Sequence, residues 1–267
     1  MRTLVAFHAH PDDESISMGG TLARAAAAGN RVVVVTATDG SHGEVPDGFL
    51  LNGQTLAAIR RHELHTATDI LGIARTEMLD YGDSGMMGTA DNTDPGCFWQ
   101  ADVEQAARRL AKVLVEESAD ALTVYDSHGG YGHPDHIQVH RVGHRAAQLA
   151  ATPVVLETTI NRDRVTHMMQ MVDDGDEPAM AAFADDPGLK KIGTPDLDIT
   201  TAVDVSEWVD VKRRAMVAHA SQVTPDSWFL QLPPPIFAAA FGTEWFIRTV
   251  PIFSGSIPAD REDWLWT

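Results

Sequence analysis

Residues 3–38, TLVAFHAHPDDESISMGGTLARAAAAGNRVVVVTAT, decide the fold of this chain. Thr3–His8 is a short apolar run that ends in polar residues, as a central strand of a parallel sheet does. The alanine-rich residues 18–28 predict a helix that a following Gly-Asn pair ends, and Arg31–Thr38 is dense in the β-branched residues that favour a second strand. Together they predict a βαβ unit, whose crossover is nearly always right-handed.

The alternation of strands and helices continues along the chain. A polar, Gly-containing loop is expected first, at residues 39–54. Helices are then predicted at residues 55–71, 103–117 and 137–150, and strands at Ala121–Tyr125 and residues 153–158. Beyond about residue 161 the pattern loosens into an acidic loop at 173–195, a helix at 205–220 and a late strand at 244–250.

This order of elements predicts an α/β fold with a Rossmann-like, mostly parallel sheet that helices cover on both faces. The length of 267 residues suits one domain, 1–267. Within it, residues 1–160 are expected to form the core, and residues 161–267 a C-terminal elaboration that caps the site.

Composition excludes several classes of partner. The formal net charge is -18, so the surface repels phosphate backbones and anionic lipids, and neither nucleic acid nor a membrane is an expected partner. No apolar run reaches the eighteen or so residues of a membrane span. The first residues resemble a buried strand rather than a signal peptide, and a single cysteine, Cys97, suits a reducing compartment. A cytoplasmic protein is therefore expected.

The first motif, HAHPDDE at residues 8–14, immediately follows the first strand. In open parallel sheets functional groups gather at the carboxyl ends of strands, and here one turn supplies His10 and three carboxylates. Pro11 stiffens that turn and keeps His10 out of the helical region. His8 ends the strand itself and is interpreted either as a residue that supports the metal ligands from outside or as structural.

The second motif, SHGGYGHPDH at residues 127–136, follows the Ala121–Tyr125 strand. Its glycines permit a tight loop that approaches a substrate closely. His133 and His136 are three residues apart, and His136 falls in the opening turn of the next helix. Both motifs are therefore expected at the same rim of the sheet.

The two motifs together predict a metal site. Catalytic zinc takes three protein ligands of imidazole nitrogen or carboxylate oxygen and leaves one position for water. His10, Asp13 and His136 supply such a set, and Asp12 is then free to act as the general base. One Zn²⁺ per chain is predicted, with ferrous iron as the alternative.

The chain resembles the LmbE-like deacetylases, also called PIG-L, through the AHPDDE and GHPDH motifs, over residues 3–160. The resemblance implies a Rossmann-like fold and the same zinc ligands, with Asp12 as base. It also implies that His133 stabilises the oxyanion and protonates the departing amine, that Asp135 tunes His133, and that Tyr131 polarises the substrate carbonyl.

Further positions resemble the mycothiol-pathway deacetylase, one branch of that family. The resemblance implies that Arg60 and Asp83 bind the sugar and that Met86 lines the same pocket. The amidase of the same pathway carries a lysine shortly after its first motif, where this chain has Ser17 and Met18. That difference favours a deacetylase over the amidase.

The predicted function is therefore a zinc-dependent hydrolase that removes an N-acetyl group from an N-acetylglucosamine-containing small molecule. Two alternatives stay open: an amidase that cleaves a larger acyl amide such as a thiol conjugate, and a catalytically idle sugar-binding protein. The amino-sugar substrate is the expected partner, and Trp228, Phe229 and residues 233–235 form an apolar cluster that suits local core, a lid or a homo-oligomer contact.

Overall fold

A computed structural model describes residues 1–51, 53–173, 192–251, 254–257 and 259–266, and within them a seven-stranded sheet carries helices on both faces. The strands are β1 (Thr3–His8), β2 (Arg31–Thr38), β3 (Arg75–Tyr81), β4 (Ala121–Tyr125), β5 (Val154–Thr159), β6 (Thr201–Asp204) and β7 (Thr243–Val250). The helices are α1 (Asp13–Ala27), α2 (Leu56–Leu71), α3 (Val103–Glu116), α4 (Gly129–Gly132), α5 (Pro134–Ala150), α6 (Arg162–Asp173), α7 (Val209–Ala218) and α8 (Pro234–Phe241).

The sheet has the strand order β3-β2-β1-β4-β5-β7-β6. Strands β1 to β5 run parallel, and β7 pairs antiparallel with both β5 and β6. The chain builds outward from β1 to β3 and then returns to place β4 on the other side of β1. The carboxyl ends of β1 and β4 therefore lie side by side at the point where the strand order reverses, which is where open α/β sheets bind ligands.

Alternating side chains of the central strands fill two cores, one on each face of the sheet. Val5 and Phe7 of β1 pack against α3 and α5 in one core, and Leu4 and Ala6 pack against α1, α2 and α7 in the other. Gly143 lets α5 lie close to the sheet, because a Cβ there would meet Cγ1 of Val124 at 2.2 Å. The predicted α/β class with a mostly parallel sheet is confirmed.

Several predicted boundaries differ from the structure. Helix α1 begins at Asp13 instead of residue 18, α5 begins at Pro134 instead of residue 137, and the helix expected at 205–220 is a 3₁₀ turn, Ser206–Trp208, followed by α7. Acidic residues in a first turn and proline at a helix start favour such early beginnings. Most of the loop expected at 173–195 lies outside the described residues.

Two strands, β3 and β6, and three helices, α4, α6 and α8, have no counterpart in the sequence prediction. Strand β3, RTEMLDY, is an edge strand with only Leu79 fully buried, so it lacks the apolar run that marks the central strands. Strand β6 has four residues, too few for a periodic signal, and α6 begins at Arg162 in the stretch where the pattern loosens. Both β6 and β7 extend the same sheet, so the C-terminal part adds to the core rather than standing apart from it.

Candidate active site

The residues of both sequence motifs meet at the carboxyl ends of β1 and β4. His10 follows β1, and His133 and His136 follow β4, so the shared rim expected from the sequence is present. The rings of these three histidines lie 4.6 to 5.4 Å apart between centroids. Among the described residues, the ligand nitrogens of the three fall within 4.8 Å of one another.

The turn after β1 holds Asp12 in a backbone conformation that L-residues rarely adopt, with φ 124°. Such strain persists only where the surroundings fix it, and it clusters at functional sites. Here the carboxylate of Glu14 accepts the backbone N–H of Asp12 at 3.0 Å, and Thr38 of β2 donates through its backbone N–H and its hydroxyl to the carbonyl of Ala9. The turn is therefore rigid, and it points Asp12 and Asp13 toward the rim.

The loop after β4 places His136 by a close approach of backbone to side chain. Gly129 has φ 68°, and a Cβ there would lie 2.7 Å from the Cβ of His136, so only glycine suits the position. His133 caps α5 by accepting the backbone N–H of Asp135, and Pro134 occupies the first turn. The ring of Tyr125 stacks on His136, with centroids 4.2 Å apart and an interplanar angle of 11°.

His10, Asp13 and His136 are arranged as the three protein ligands of one metal ion would be. One carboxylate oxygen of Asp13 is 3.3 Å from Nδ1 of His10, and the other is 3.4 Å from Nε2 of His136. All three side chains are largely buried. Nε2 of His136 is a buried polar atom without a hydrogen-bond partner, which is an unfavourable state that a bound cation would relieve.

Carboxylates dominate the electrostatics of this cluster. Burial lowers the pKa of His10, but hydrogen bonds to Asp13, Asp135 and Asp83 outweigh it and hold that pKa well above its usual range. Burial raises the pKa of Asp13, but His136 and His10 more than reverse it and hold that pKa well below its ordinary value. The site therefore concentrates negative charge around imidazoles, as a cation site requires.

Asp12 lies beside the cluster with Arg60 behind it. Burial raises the pKa of the Asp12 carboxyl to about 6, although Arg60 opposes the rise. Nη2 of Arg60 is 3.1 Å from Oδ1 of Asp12, and the same guanidinium donates to the carbonyls of Pro11 and Gly40 at 2.5 and 2.8 Å. Arg60 is only 3% exposed and lies beneath the turn.

His133 and Asp135 lie at the start of α5, and the Asp135 side chain also contacts groups from two other loops. The carboxylate of Asp135 contacts Nε2 of His10 at 3.2 Å and accepts from the backbone N–H and the hydroxyl of Ser84. The backbone N–H of Asp135 donates to Nδ1 of His133 at 3.2 Å. Burial, with His10 and His136 nearby, lowers the pKa of His133 to about 3, so its ring is neutral.

The remaining predicted residues form the outer part of the site. Asp83 is buried 3.6 Å from Nε2 of His10 and accepts the backbone N–H groups of His42 and Gly85. Met86 is half-exposed on the loop after β3. Tyr131 is also half-exposed, and its ring lies 5.0 Å from that of His136, between centroids.

Sequence reasoning missed the residues that hold this site from behind. Glu14 is fully buried and bonds Nε2 of His219 at 2.7 Å, across 205 positions of sequence. Glu63 accepts from the backbone N–H and the hydroxyl of Ser221. The acidic residue that ends the first motif is the only signal in the sequence that could have suggested the Glu14 contact.

This fold and this site define a class of protein: an α/β enzyme with a metal-binding cluster of histidines and carboxylates beside a further buried carboxylate. The chain belongs to the PIG-L family, described as GlcNAc-PI de-N-acetylase, which matches residues 5–147. The family inferred from the motifs is thereby confirmed. Membership also makes the chain a deacetylase, a hydrolase that acts on an amide bond.

Relatives and solved structures agree with this membership. The 1D-myo-inositol 2-acetamido-2-deoxy-alpha-D-glucopyranoside deacetylase of Acidothermus cellulolyticus is 40% identical over 258 residues, covering 92% of this chain and 88% of its own. The N,N'-diacetylchitobiose deacetylase of Pyrococcus horikoshii superposes with a TM-score of 0.59 at 21% identity, covering 92% of this chain and 83% of its own.

The fold alone does not specify the reaction. The 4-carboxy-2-hydroxymuconate hydratase GalB of Pseudomonas putida superposes with a TM-score of 0.57 at 17% identity, covering 96% of this chain and 100% of its own.

Among the described residues, no helix is both long enough and apolar enough to cross a bilayer.

Proposed function

We propose that this chain is a zinc-dependent deacetylase that acts on an N-acetylglucosaminyl inositol and releases acetate and the free amine. The observation that carries the proposal is the meeting of His10, Asp13 and His136 beside the buried carboxylate of Asp12. The 40%-identical relative from Acidothermus cellulolyticus, whose name specifies a 2-acetamido sugar joined to inositol, supports the substrate class.

The metal is proposed to be held by His10, Asp13 and His136. The two imidazoles and one carboxylate suit zinc, and the unpartnered Nε2 of His136 fits a metal bond. When bound, zinc supplies Lewis acidity, which acidifies water and polarises a carbonyl oxygen. Asp135 and Asp83 lie on the far side of the His10 ring and orient it, as carboxylates behind ligating histidines do.

Asp12 is the proposed general base. A pKa of about 6 leaves the carboxylate deprotonated at neutral pH yet basic enough to accept a proton, which is the compromise a general base requires. The strained turn fixes its direction, and the contacts from Glu14 and Arg60 keep it there. In this role Asp12 takes a proton from the attacking water as the water oxygen bonds to the acetyl carbon.

His133 is proposed as a hydrogen-bond donor rather than a fourth ligand. Its Nδ1 accepts the backbone N–H of Asp135, so the neutral ring carries its proton on Nε2. A ligating imidazole needs a free lone pair on the nitrogen that faces the metal, and this tautomer places a hydrogen there. Nε2–H can instead donate a hydrogen bond to the carbonyl oxygen as it becomes negative. The proton that the departing sugar nitrogen needs is the one that Asp12 has taken from water.

On the sugar side, Asp83, Met86 and Tyr131 stay as the proposed contacts. Asp83 lies against His10, so a ring hydroxyl bound there would hold the acetamide beside the metal cluster. Tyr131 and Met86 are half-exposed at the mouth of the site, where side chains can meet a substrate. Tyr131 is proposed to donate to the substrate carbonyl together with His133.

Comparing substrates tests the proposed function. We expect kcat/KM to be highest for N-acetylglucosaminyl inositol, lower for N-acetylglucosamine, and lowest for an analogue with a bulky thiol-conjugate acyl group on the same nitrogen. Each sugar contact that a substrate lacks lowers kcat/KM about tenfold for every 1.4 kcal/mol of interaction free energy lost. A higher kcat/KM for the bulky acyl group would identify the amidase instead, and binding of all three without acetate release would identify a sugar-binding protein.

Arg60 is proposed to position Asp12 instead of binding the sugar directly. Arg60→Met is then expected to lower kcat by roughly 10- to 100-fold, the worth of a charged hydrogen bond, on N-acetylglucosaminyl inositol and equally on a small acetamide without a sugar ring. Arg61→Met is the matched control, because Arg61 is a neighbouring arginine that pairs with Asp80 at the surface. A loss confined to the sugar substrate, with the acetamide unaffected, would restore the sugar-binding role.

A further inference from the structure

A second cluster of potential metal ligands lies outside the candidate active site. It consists of His140 and His144 on α5 and Glu157 on β5, whose ligand atoms lie within 4.8 Å of one another. Nε2 of His144 is 2.8 Å and Nδ1 of His140 is 3.3 Å from the same oxygen, Oε1 of Glu157. The two imidazole centroids are 4.5 Å apart.

The spacing of these residues suits a metal ion. Residues four apart lie on the same face of a helix, so His140 and His144 both face the strand that carries Glu157. In a tetrahedral zinc site with bonds of 2.0–2.1 Å, neighbouring ligand atoms lie about 3.3 Å apart. The 3.3 Å contact of His140 with Glu157 matches that separation and the 2.8 Å contact of His144 is shorter, so a small rotation of the side chains would admit an ion between them.

Among the described residues, Glu157 forms no ion pair with a lysine or an arginine. Its side chain is about nine-tenths buried, and the ion pairs of the described residues give it two histidines. A divalent cation would give this buried carboxylate a counter-charge that neither a lysine nor an arginine supplies.

Nδ1 of His140 also lies 3.1 Å from the backbone carbonyl oxygen of Tyr125, a contact that fixes the orientation of the ring beside Glu157. The side chains of His140 and His144 are 22% and 26% exposed, so an ion can reach the cluster from solvent.

We propose that His140, His144 and Glu157 form a second zinc site that ties α5 to β5. It lies one helical turn beyond His136, about 6 Å along the axis of α5. Tyr125 links the two sites, because its ring stacks on His136 while its carbonyl faces His140. An ion at the second site therefore holds the helix that carries His136. The proposal does not depend on the substrate of the enzyme.

Zinc content tests this site directly. After dialysis against a buffer of fixed free Zn²⁺, we expect two ions per chain in the wild type and one in His144→Ala, with acetate release by the variant close to that of the wild type. His65→Ala, at an exposed histidine of α2, is the matched control and should keep two. Glu157→Gln, which keeps the shape of the side chain but loses its charge, should also hold one.

The complementary variant separates the two sites. Asp13→Asn removes a proposed ligand of the active site, so it should keep one ion, and zinc should still raise its Tm. Adding His144→Ala to Asp13→Asn should abolish both the remaining ion and the rise in Tm. A wild type that holds one ion per chain at saturating zinc, or His144→Ala and Glu157→Gln variants that hold as many ions as the wild type, would overturn the proposal.

Discussion

Asp12→Asn is expected to lower kcat by roughly 10²- to 10⁴-fold, the usual contribution of a general base, while zinc content stays at the wild-type value. Asparagine has nearly the same shape as aspartate and tolerates positive φ better than most residues, so it fits the strained turn at φ 124°. What it loses is the ability to accept a proton from water. Acetate release under saturating substrate, together with metal analysis of the same sample, measures both quantities.

Asp80→Asn is the control for this variant. Asp80 is also an aspartate at positive φ, 53°, and it also pairs with an arginine, Arg61, but it lies at the surface away from the metal cluster. Its replacement should leave kcat unchanged. Loss of zinc from Asp12→Asn would show that Asp12 is a ligand, and an unchanged kcat would remove it from the mechanism.

His133→Asn is expected to lower kcat by roughly 10²- to 10³-fold, the worth of one donor to a developing oxyanion. Asparagine is a good N-cap residue, so it can still accept the backbone N–H of Asp135 and keep the start of α5 intact. It does not extend as far as Nε2 of the imidazole, which is the atom proposed to donate to the substrate. The KM should change less than kcat, because the donor acts mainly in the transition state.

Metal content decides between the two roles open to His133. The three histidines His10, His133 and His136 lie close enough to share an ion, but the tautomer of His133 favours a donor. His133→Asn should therefore keep the active-site zinc, whereas Asp13→Asn should lose it. If His133→Asn loses that zinc as Asp13→Asn does, His133 is a ligand and the proposed role as hydrogen-bond donor is wrong.

The fold was predictable where a buried strand appears in the sequence as an apolar run. Strands β1, β2 and β4 are buried on both faces, so they appear as apolar runs, and their bounds are correct. Strand β3 lies at the sheet edge with Arg75, Glu77 and Asp80 among its seven residues, and its polar sequence gives no strand signal. The order of β6 and β7 depends on contacts between distant segments, which periodicity does not encode.

The candidate site was predictable where one local motif supplies several groups. His10, Asp12 and Asp13 share a turn, and His133 and His136 share a loop, so knowing that both follow parallel strands is enough to bring them together. The buried position of the Arg60 side chain was not predictable in the same way, because helical spacing does not show whether an arginine points into solvent or packs beneath a neighbouring turn. The Glu14–His219 contact joins segments 205 positions apart, and no local pattern reveals it.

Acetate release by metal-stripped protein tests the central claim most directly. The protein would be freed of metal by chelation, dialysed, and assayed on N-acetylglucosaminyl inositol before and after zinc is added back. We predict that acetate release falls to the background rate without metal and returns as zinc is restored, with one free amine formed for each acetate. Full acetate release by protein shown to contain no metal, or none from the zinc-loaded protein, would contradict the account.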